Sequence, residues 1–475
     1  MTDVGFRSER GPILISLMVT TGLVAIDATI LATAVPTIVD DLGGFAQFPW
    51  LFSVYLLAQA VSVPLYAKLS DTVGRKPIIF VGIGLFLLGS ILCGLAWSMP
   101  ALIAFRAVQG LGAGAVQPMA VTIAGDIYSV AERAKVQGYL ASVWAVSAVV
   151  GPTLGGVFSE FLSWRWIFFV NIPLCLLAAW LLGRSFHETI EKRRHRVDYL
   201  GAALLTLSLT LLILAVLEGG QSWAWNSPQS VGAFALGGLL LSGFVWAEIR
   251  AAEPVLPLWV ISRRLLLSTS LISLGVGAIL IGLTSYVPTY LQGSLGSSPL
   301  VAGLTLATLT IGWPISATLS GRIYLRVGFR TTVLLGTMLV IAGASLLAVF
   351  GGRPTLFVVG LGCFVVGLGL GLVATPSLVA AQSSVPWNER GVVTGTNLFS
   401  RSIGSGVGVA IFGAVANAIL AGADSRTPTA VEAASTSVFI AIVVAAVGVL
   451  VAAFWMPDAG PLPASAHGGA RRGGR

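Results

Sequence analysis

The chain of 475 residues is 56% hydrophobic and only 10% charged, with mean hydropathy +0.92. A soluble protein of this length needs far more charge to cover its surface, so the composition excludes one and makes lipid the solvent around most of the chain. The net charge of +8 sits in short basic clusters between apolar runs, a pattern that suits inner-leaflet headgroups and not nucleic acid.

A helix crossing a hydrocarbon layer of ~30 Å needs about 20 apolar residues. Fourteen runs meet that need, at approximately 12–36, 48–69, 77–98, 101–124, 137–161, 165–183, 198–218, 230–248, 265–292, 298–319, 331–351, 354–380, 394–421 and 434–456. The fold class expected is therefore an all-α polytopic membrane protein with 14 transmembrane helices. The first run carries Asp27 and lacks a small-residue cleavage site, so no cleaved signal peptide is expected.

Asp27 is the one carboxylate well inside a run, and Arg106, in the fourth, is the clearest cation. Each charge in the bilayer costs about 2.5–3.5 kcal/mol or more unless it is used. At 1.5 Å per residue both lie ~10–14 Å below the same surface, within reach of each other directly, through Gln109 or through water. Burial favours the neutral acid and a guanidinium favours its anion, so the site is suited to gain and lose a proton; a structural ion pair is the plainer alternative.

Span 4 continues into Gly110-Leu111-Gly112-Ala113-Gly114, followed by Glu132-Arg133 and Gly138. The same features return later in the chain at a common offset, as Gly367-Leu368-Gly369-Leu370-Gly371, Glu389-Arg390 and Gly395. The basic turn Lys68 to Lys76 has a weaker echo in Arg322 to Arg330. The repeat unit is six helices, with spans 7 and 8 inserted between the copies. This gives a six-helix bundle at 1–185, a linker with two additional helices at 186–264, a second bundle at 265–456, and a tail at 457–475 expected to be disordered. Parallel repeats place a substrate cavity near the midplane, where the halves meet. In the second half no acid replaces Asp27, since none occurs between Glu253 and Glu389. Arg401, in span 13, either meets backbone carbonyls or an anionic group, or snorkels toward the surface.

Orientation follows from the basic residues. Of 27, only Arg165, Arg353 and Arg426 face out if both termini are cytoplasmic, and Arg106 and Arg401 lie within spans. No Gly-Lys pair exists for a phosphate loop, so no ATP is expected. His187, His195 and His467 lie outside the spans, Cys93, Cys175 and Cys363 within apolar runs, and neither set offers a metal, hydrolase or disulfide framework. No cofactor is expected beyond an ion gradient.

At these residues the chain resembles the major facilitator superfamily, in particular its fourteen-helix branch of drug:proton antiporters. Ile26-Asp27-Ala28-Thr29-Ile30 with Ala34-Val35-Pro36 resembles that branch's first-helix motif. Ala67-Lys68-Leu69-Ser70-Asp71-Thr72-Val73-Gly74-Arg75-Lys76 resembles the superfamily's signature loop, with Ala67 in place of its usual first Gly. Arg106-Ala107-Val108-Gln109-Gly110 is similar to the family's proton-transfer motif, and Gly151-Pro152-Thr153-Leu154-Gly155-Gly156 to its antiporter motif. Trp164-Arg165-Trp166-Ile167-Phe168, with Asn171 and Pro173, also resembles this branch.

The resemblance implies two six-helix bundles plus two extra central helices, in the cell (inner) membrane. It further implies a cytoplasmic latch, with Asp71 facing the start of a second-half helix and Arg75 paired to Asp126 beyond Gly74. In the second-half turn Leu325 stands where the latch acid would be. Pro152 is expected to kink its helix, and Gly151, Gly155 and Gly156 to pack closely against the other half.

The function expected is proton-coupled export of lipophilic small molecules, such as drugs, antibiotics or biocides. One buried acid among many aromatics suits hydrophobic cations, and neutral lipophiles fit almost as well. The alternatives are an exporter of one natural product or lipid, an uptake symporter, and, more remotely, a membrane enzyme or receptor.

Overall fold

A computed structural model describes residues 4–43, 50–188, 199–219, 223–251, 258–297, 299–352, 355–420 and 427–458. Helices follow one another as α1 (Gly11–Leu42), α2 (Trp50–Val73), α3 (Arg75–Gly94), α4 (Met99–Ile127), α5 (Val130–Phe161), α6 (Trp166–Phe169), α7 (Asn171–Ser185), α8 (Tyr199–Glu218) and α9 (Pro228–Arg250). The series continues with α10 (Leu258–Ser262), α11 (Arg264–Leu295), α12 (Pro299–Val327), α13 (Phe329–Val349), α14 (Leu356–Ser383), α15 (Arg390–Leu420) and α16 (Pro428–Trp455). The β pairing among the described residues is one isolated bridge, Gly219 with Trp223. Such a fold satisfies the backbone inside each helix, as hydrocarbon requires.

Thirteen of these stretches are long and apolar enough to cross a membrane, with α6 and α7 forming one of them. The expected seventh span coincides with α8, whose described apolar stretch is the shorter Ala203–Leu212. The linker's 189–198, 220–222 and 252–257, and the tail from 459 on, lie outside the described residues.

Helix starts are fixed by short polar caps. Ser98, Ser227, Thr355 and Thr427 accept from the backbone N–H three residues on, at the heads of α4, α9, α14 and α16. Two turns have no loop at all: α2 passes into α3 at Gly74, with φ 109°, and α12 into α13 at Gly328, with φ 84°. Only glycine enters that region without strain. The basic turn and its weaker echo thus share one backbone device.

The glycine string is repeated in space as well as in sequence. In α4, a Cβ on Gly110 or Gly114 would run into α2, at Tyr55 O (2.5 Å) or Ser62 Oγ (2.0 Å), and one on Gly112 into α3 at Phe86 N (2.4 Å). In α14, Gly367 and Gly371 press likewise on α12, at Leu309 O (2.2 Å) and Ser316 Oγ (2.1 Å), while Gly369 presses on α13 at Gly336 O (2.6 Å). Small residues let backbones approach this closely, and the pattern repeats helix for helix.

Helices α1 to α7 pack among themselves, as do α11 to α16. The two groups meet mainly through α5 with α12 and α2 with α15. Helix α8 lies over the second seam, where Leu205 and Leu209 join Val61, Val63 and Phe399, and α9 packs on α8.

Candidate functional site: a buried ion pair, a sealed end and a cavity

Five helices bring polar side chains together inside the first group. Asp27 of α1 is 1% exposed. Its Oδ2 accepts from Arg106 Nη1 at 2.7 Å, and its Oδ1 from Gln109 Nε2 at 2.8 Å and Asn171 Nδ2 at 3.1 Å. Arg106 also donates to Gln109 Oε1 (2.7 Å) and, through Nε, to the carbonyl of Leu51 (3.1 Å), while its guanidinium lies 4.1 Å from the centre of the Tyr55 ring. Ser90 of α3 accepts from both Gln109 (2.9 Å) and Asn171 (3.3 Å). The expected contact between acid and guanidinium is thus direct, with Gln109 bridging the same pair. Two buried polar atoms at this cluster, Tyr55 OH and Asn171 Oδ1, have no hydrogen-bond partner. Sequence reasoning missed Tyr55 and Ser90, because uncharged residues in an apolar run carry no cost that marks them.

At the end bearing the basic turns, the two groups are sealed together. Asp71 accepts from the backbone N–H of Gly391 (3.0 Å) and Val392 (2.8 Å), at the first turn of α15, where the helix dipole favours an anion. Arg75 is fully buried and lies 2.5 Å from Asp71 and 3.1 Å from Asp126. It donates to the carbonyl of Trp387 (2.7 Å) and lies over that ring at 4.2 Å. Arg390 reaches across to Asp126 at 3.2 Å. On the other diagonal, Tyr324 of α12 donates to the carbonyl of Val130 at the head of α5. Gly138 and Gly321 bring α5 and α12 together at Thr318 and Ala134. Glu389-Arg390 was legible as a repeat mark but not as a partner of Asp126; Tyr324 carried no sequence signal.

At the opposite end each group has hydrogen bonds of its own; in the second, Tyr290 of α11 donates to the carbonyl of Gly351 at 2.7 Å. Asp41 at the end of α1 accepts from the Trp164 indole (3.0 Å) and from Arg165 (2.8 Å). The indole N–H and then the guanidinium hold its carboxyl below the usual carboxylate range.

Gly151 does not pack against the second group. A Cβ on Gly151 would meet Thr29 Oγ1 of α1 at 2.0 Å, so this residue packs α5 against α1 within its own group. Gly155 is buried, and Gly156 has nothing within 4 Å of a Cβ. The expectation of close packing across the halves fails at Gly151, and at Gly156 no neighbour is near, because α5 meets α12 earlier in its length, around Gly138. The Pro152 side chain lies outside the described residues. Pro173 is exposed in the first turn of α7 and does not join the Asp27 cluster.

Between the groups lies a cavity with about 270 Å³ open to water-sized molecules. Leu140, Trp144, Leu309 and Trp313 give it an apolar, aromatic wall, and Gln117, Gln137 and Arg401 are its strongest polar groups. Arg401 therefore lines the cavity instead of snorkelling to a surface. Asp27 is absent from the lining; Thr21, six residues earlier on α1, is what that helix presents. The hydrophobic-cation expectation rested on Asp27, and the structure sets that acid apart from the cavity.

The family model for the Major Facilitator Superfamily matches residues 17–409. The chain is 34% identical over 419 residues to the multidrug transporter protein MdtP of Bacillus subtilis (strain 168), covering 88% of this chain and 77% of that one. It is 36% identical over 393 residues to multidrug resistance protein 3 of the same organism, covering 82% and 76%. Among solved structures it resembles the human organic anion transporter MFSD10 (TETRAN), with TM-score 0.68 and 16% identity over 95% of this chain and 100% of that one. At that identity the likeness speaks for the fold alone.

Proposed function

The chain belongs to the major facilitator superfamily and is a multi-pass membrane transporter, and from that premise we propose that it exports lipophilic small molecules in exchange for protons. The names of its bacterial relatives, a multidrug transporter and a multidrug resistance protein, support small-molecule substrates of more than one kind. The observation that carries the coupling is the Asp27 carboxylate, buried in the first group of helices and held by Arg106, Gln109 and Asn171.

In this reading the basic end and both termini are cytoplasmic, and the membrane is the cell membrane. The sealed arrangement is then the outward-facing state, with Asp71, Arg75 and Asp126 as its latch. The groups before and after α8 and α9 are two bundles that rock about the cavity. A proton arriving from outside neutralises Asp27 and removes the charge that holds Arg106, so the cluster's hydrogen bonds rearrange. Helix α1, which carries Asp27 and also lines the cavity at Thr21, passes that change to the substrate side. Proton and substrate favour opposite-facing states, so inward proton flow drives substrate out. One pH unit supplies about 1.4 kcal/mol, and 100 mV adds about 2.3 kcal/mol per charge moved.

The test is transport in proteoliposomes with an imposed pH gradient. Substrate movement against the proton flow, abolished by a protonophore, is expected. Movement of both in one direction identifies an uptake symporter, and indifference to the gradient removes the coupling.

A further inference from the structure

Arg106 and Arg401 are both cations within apolar helices, yet their surroundings differ. Arg106 has a carboxylate at 2.7 Å, a glutamine and a backbone carbonyl. The Arg401 side chain donates no hydrogen bond and forms no ion pair among the described residues; its Nε is buried without a partner, and the centre of the Trp313 ring lies 5.7 Å from the guanidinium carbon. It lines the cavity, whose wall contains no carboxylate among the described residues. None is available nearby in sequence either, since no acid occurs between Glu253 and Glu389 or in α15. A second donor faces the same space. Gln117 spends its carbonyl oxygen on Gln59 Nε2 (2.9 Å), which leaves its amide N–H groups for the cavity.

A guanidinium that lines a cavity without a counter-ion lacks what it binds best, a planar oxyanion that takes two of its N–H groups at once. We infer that the cavity is an anion-selective site, in which Arg401 anchors the carboxylate or similar oxyanion of an amphiphilic substrate whose apolar body lies against Trp313 and Trp144. This rests on the exporter reading above and names the substrate class it leaves open. An ammonium in the same place meets a like charge and no acid.

Three probes share one ring system and differ in charge: 2-naphthaleneacetate, 2-naphthaleneacetamide and 2-(2-naphthyl)ethylamine. Binding to the full-length protein is measured by titration calorimetry at pH 8 in nanodiscs of phosphatidylcholine, with protein-free discs as blank. The acid is expected to bind at least tenfold more tightly than the amide, with the amine weakest. Arg401→Gln is expected to weaken the acid about ten- to hundredfold and leave the amide nearly unchanged, and Arg401→Lys to recover part of the loss. Gln117→Leu, which leaves the cation in place, is expected to weaken the acid alone by severalfold. Equal affinities for the three probes in the unaltered protein overturn the inference whether or not any variant folds. A loss of acid binding on moving to phosphatidylglycerol discs assigns Arg401 to a lipid phosphate and overturns it as well. If the acid binds as expected but no pH gradient moves it, the exporter reading fails and the anion site stands. If an uncharged substrate is exported and the acid is not bound, the reverse holds.

Discussion

Tyr324 donates its phenol hydrogen to the carbonyl of Val130, tying α12 to α5 on the same end of the molecule where Asp71 ties α2 to α15. The repeat therefore supplies two diagonal seals of unequal chemistry. One is a neutral hydrogen bond. The other is a carboxylate on a helix N-terminus, braced by Arg75.

The unequal seals should respond unequally to conservative changes. Asp71→Asn keeps the shape and removes charge-assisted bonds worth about 1.5–3 kcal/mol, which under the proposed two-facing cycle shifts the balance ten- to hundredfold toward opening of this end. Tyr324→Phe removes about 1 kcal/mol and shifts it severalfold. Spin labels on the exposed positions Lys135 and Arg326, which flank the α5–α12 seam, report the change as a longer distance between labels. An unchanged distance distribution in Asp71→Asn means that the seal does not rest on this carboxylate.

The buried pair invites a double-mutant cycle. Asp27→Asn leaves Arg106 as an uncompensated cation, and Arg106→Gln leaves the acid unpaired; each is expected to cost about 3–5 kcal/mol of stability. Asp27→Asn with Arg106→Gln should recover much of that loss, because amides can keep the contacts to Gln109 and Asn171 without charge. Thermal unfolding in detergent measures the cycle. Simple additivity of the two losses contradicts a direct interaction. Proton-driven transport should be lost in all three variants, including the stable double one.

Much of this arrangement was legible beforehand, and the reason is energetic. A charge in an apolar run stands out because it must be used, which marked Asp27, Arg106 and Arg401, and the paired glycine strings marked the repeat. What the sequence withheld is direction around a helix axis. Nothing in the spacing of Gly151 states whether it turns toward α12 or toward Thr29 of α1, and nothing in Arg401 states that it turns to the cavity. Neutral partners such as Ser90, Tyr55 and Tyr324 stayed invisible, since their value appears only once another helix stands opposite.

Acid sensitivity separates the two faces of the first group. Asp41 titrates below the ordinary carboxylate value because Trp164 and Arg165 favour its anion. An acid so depressed adds stability above the unfolded value of about 4, and loses it only as pH falls through its lower folded value. Between pH 5.5 and 8 this contact is constant. Asp41→Asn should therefore leave the pH dependence of transport over that range unchanged, whereas Asp27→Asn should flatten it. A shifted profile in Asp41→Asn assigns part of the proton response to the contact of Asp41 with Trp164 and Arg165.

Two neighbouring glycines offer the last test, because the structure gives them opposite surroundings within one motif. A methyl group on Gly151 collides with Thr29 Oγ1, whose own hydrogen bond to Ser147 O (2.9 Å) holds α1 against α5. Gly151→Ala is therefore expected to push these helices apart, at about 1–3 kcal/mol. A methyl on Gly156 meets nothing, and alanine there gains helix propensity, so Gly156→Ala should be neutral or stabilising by up to about 1 kcal/mol. The distinction reaches function because Thr29 is two residues from Asp27 on the same helix. If the α1–α5 contact positions the acid, Gly151→Ala lowers proton-driven transport far more than it lowers the melting temperature, and Gly156→Ala changes neither. Equal transport by the two variants would mean that the motif serves stability alone, and that the coupling does not depend on how α1 is seated.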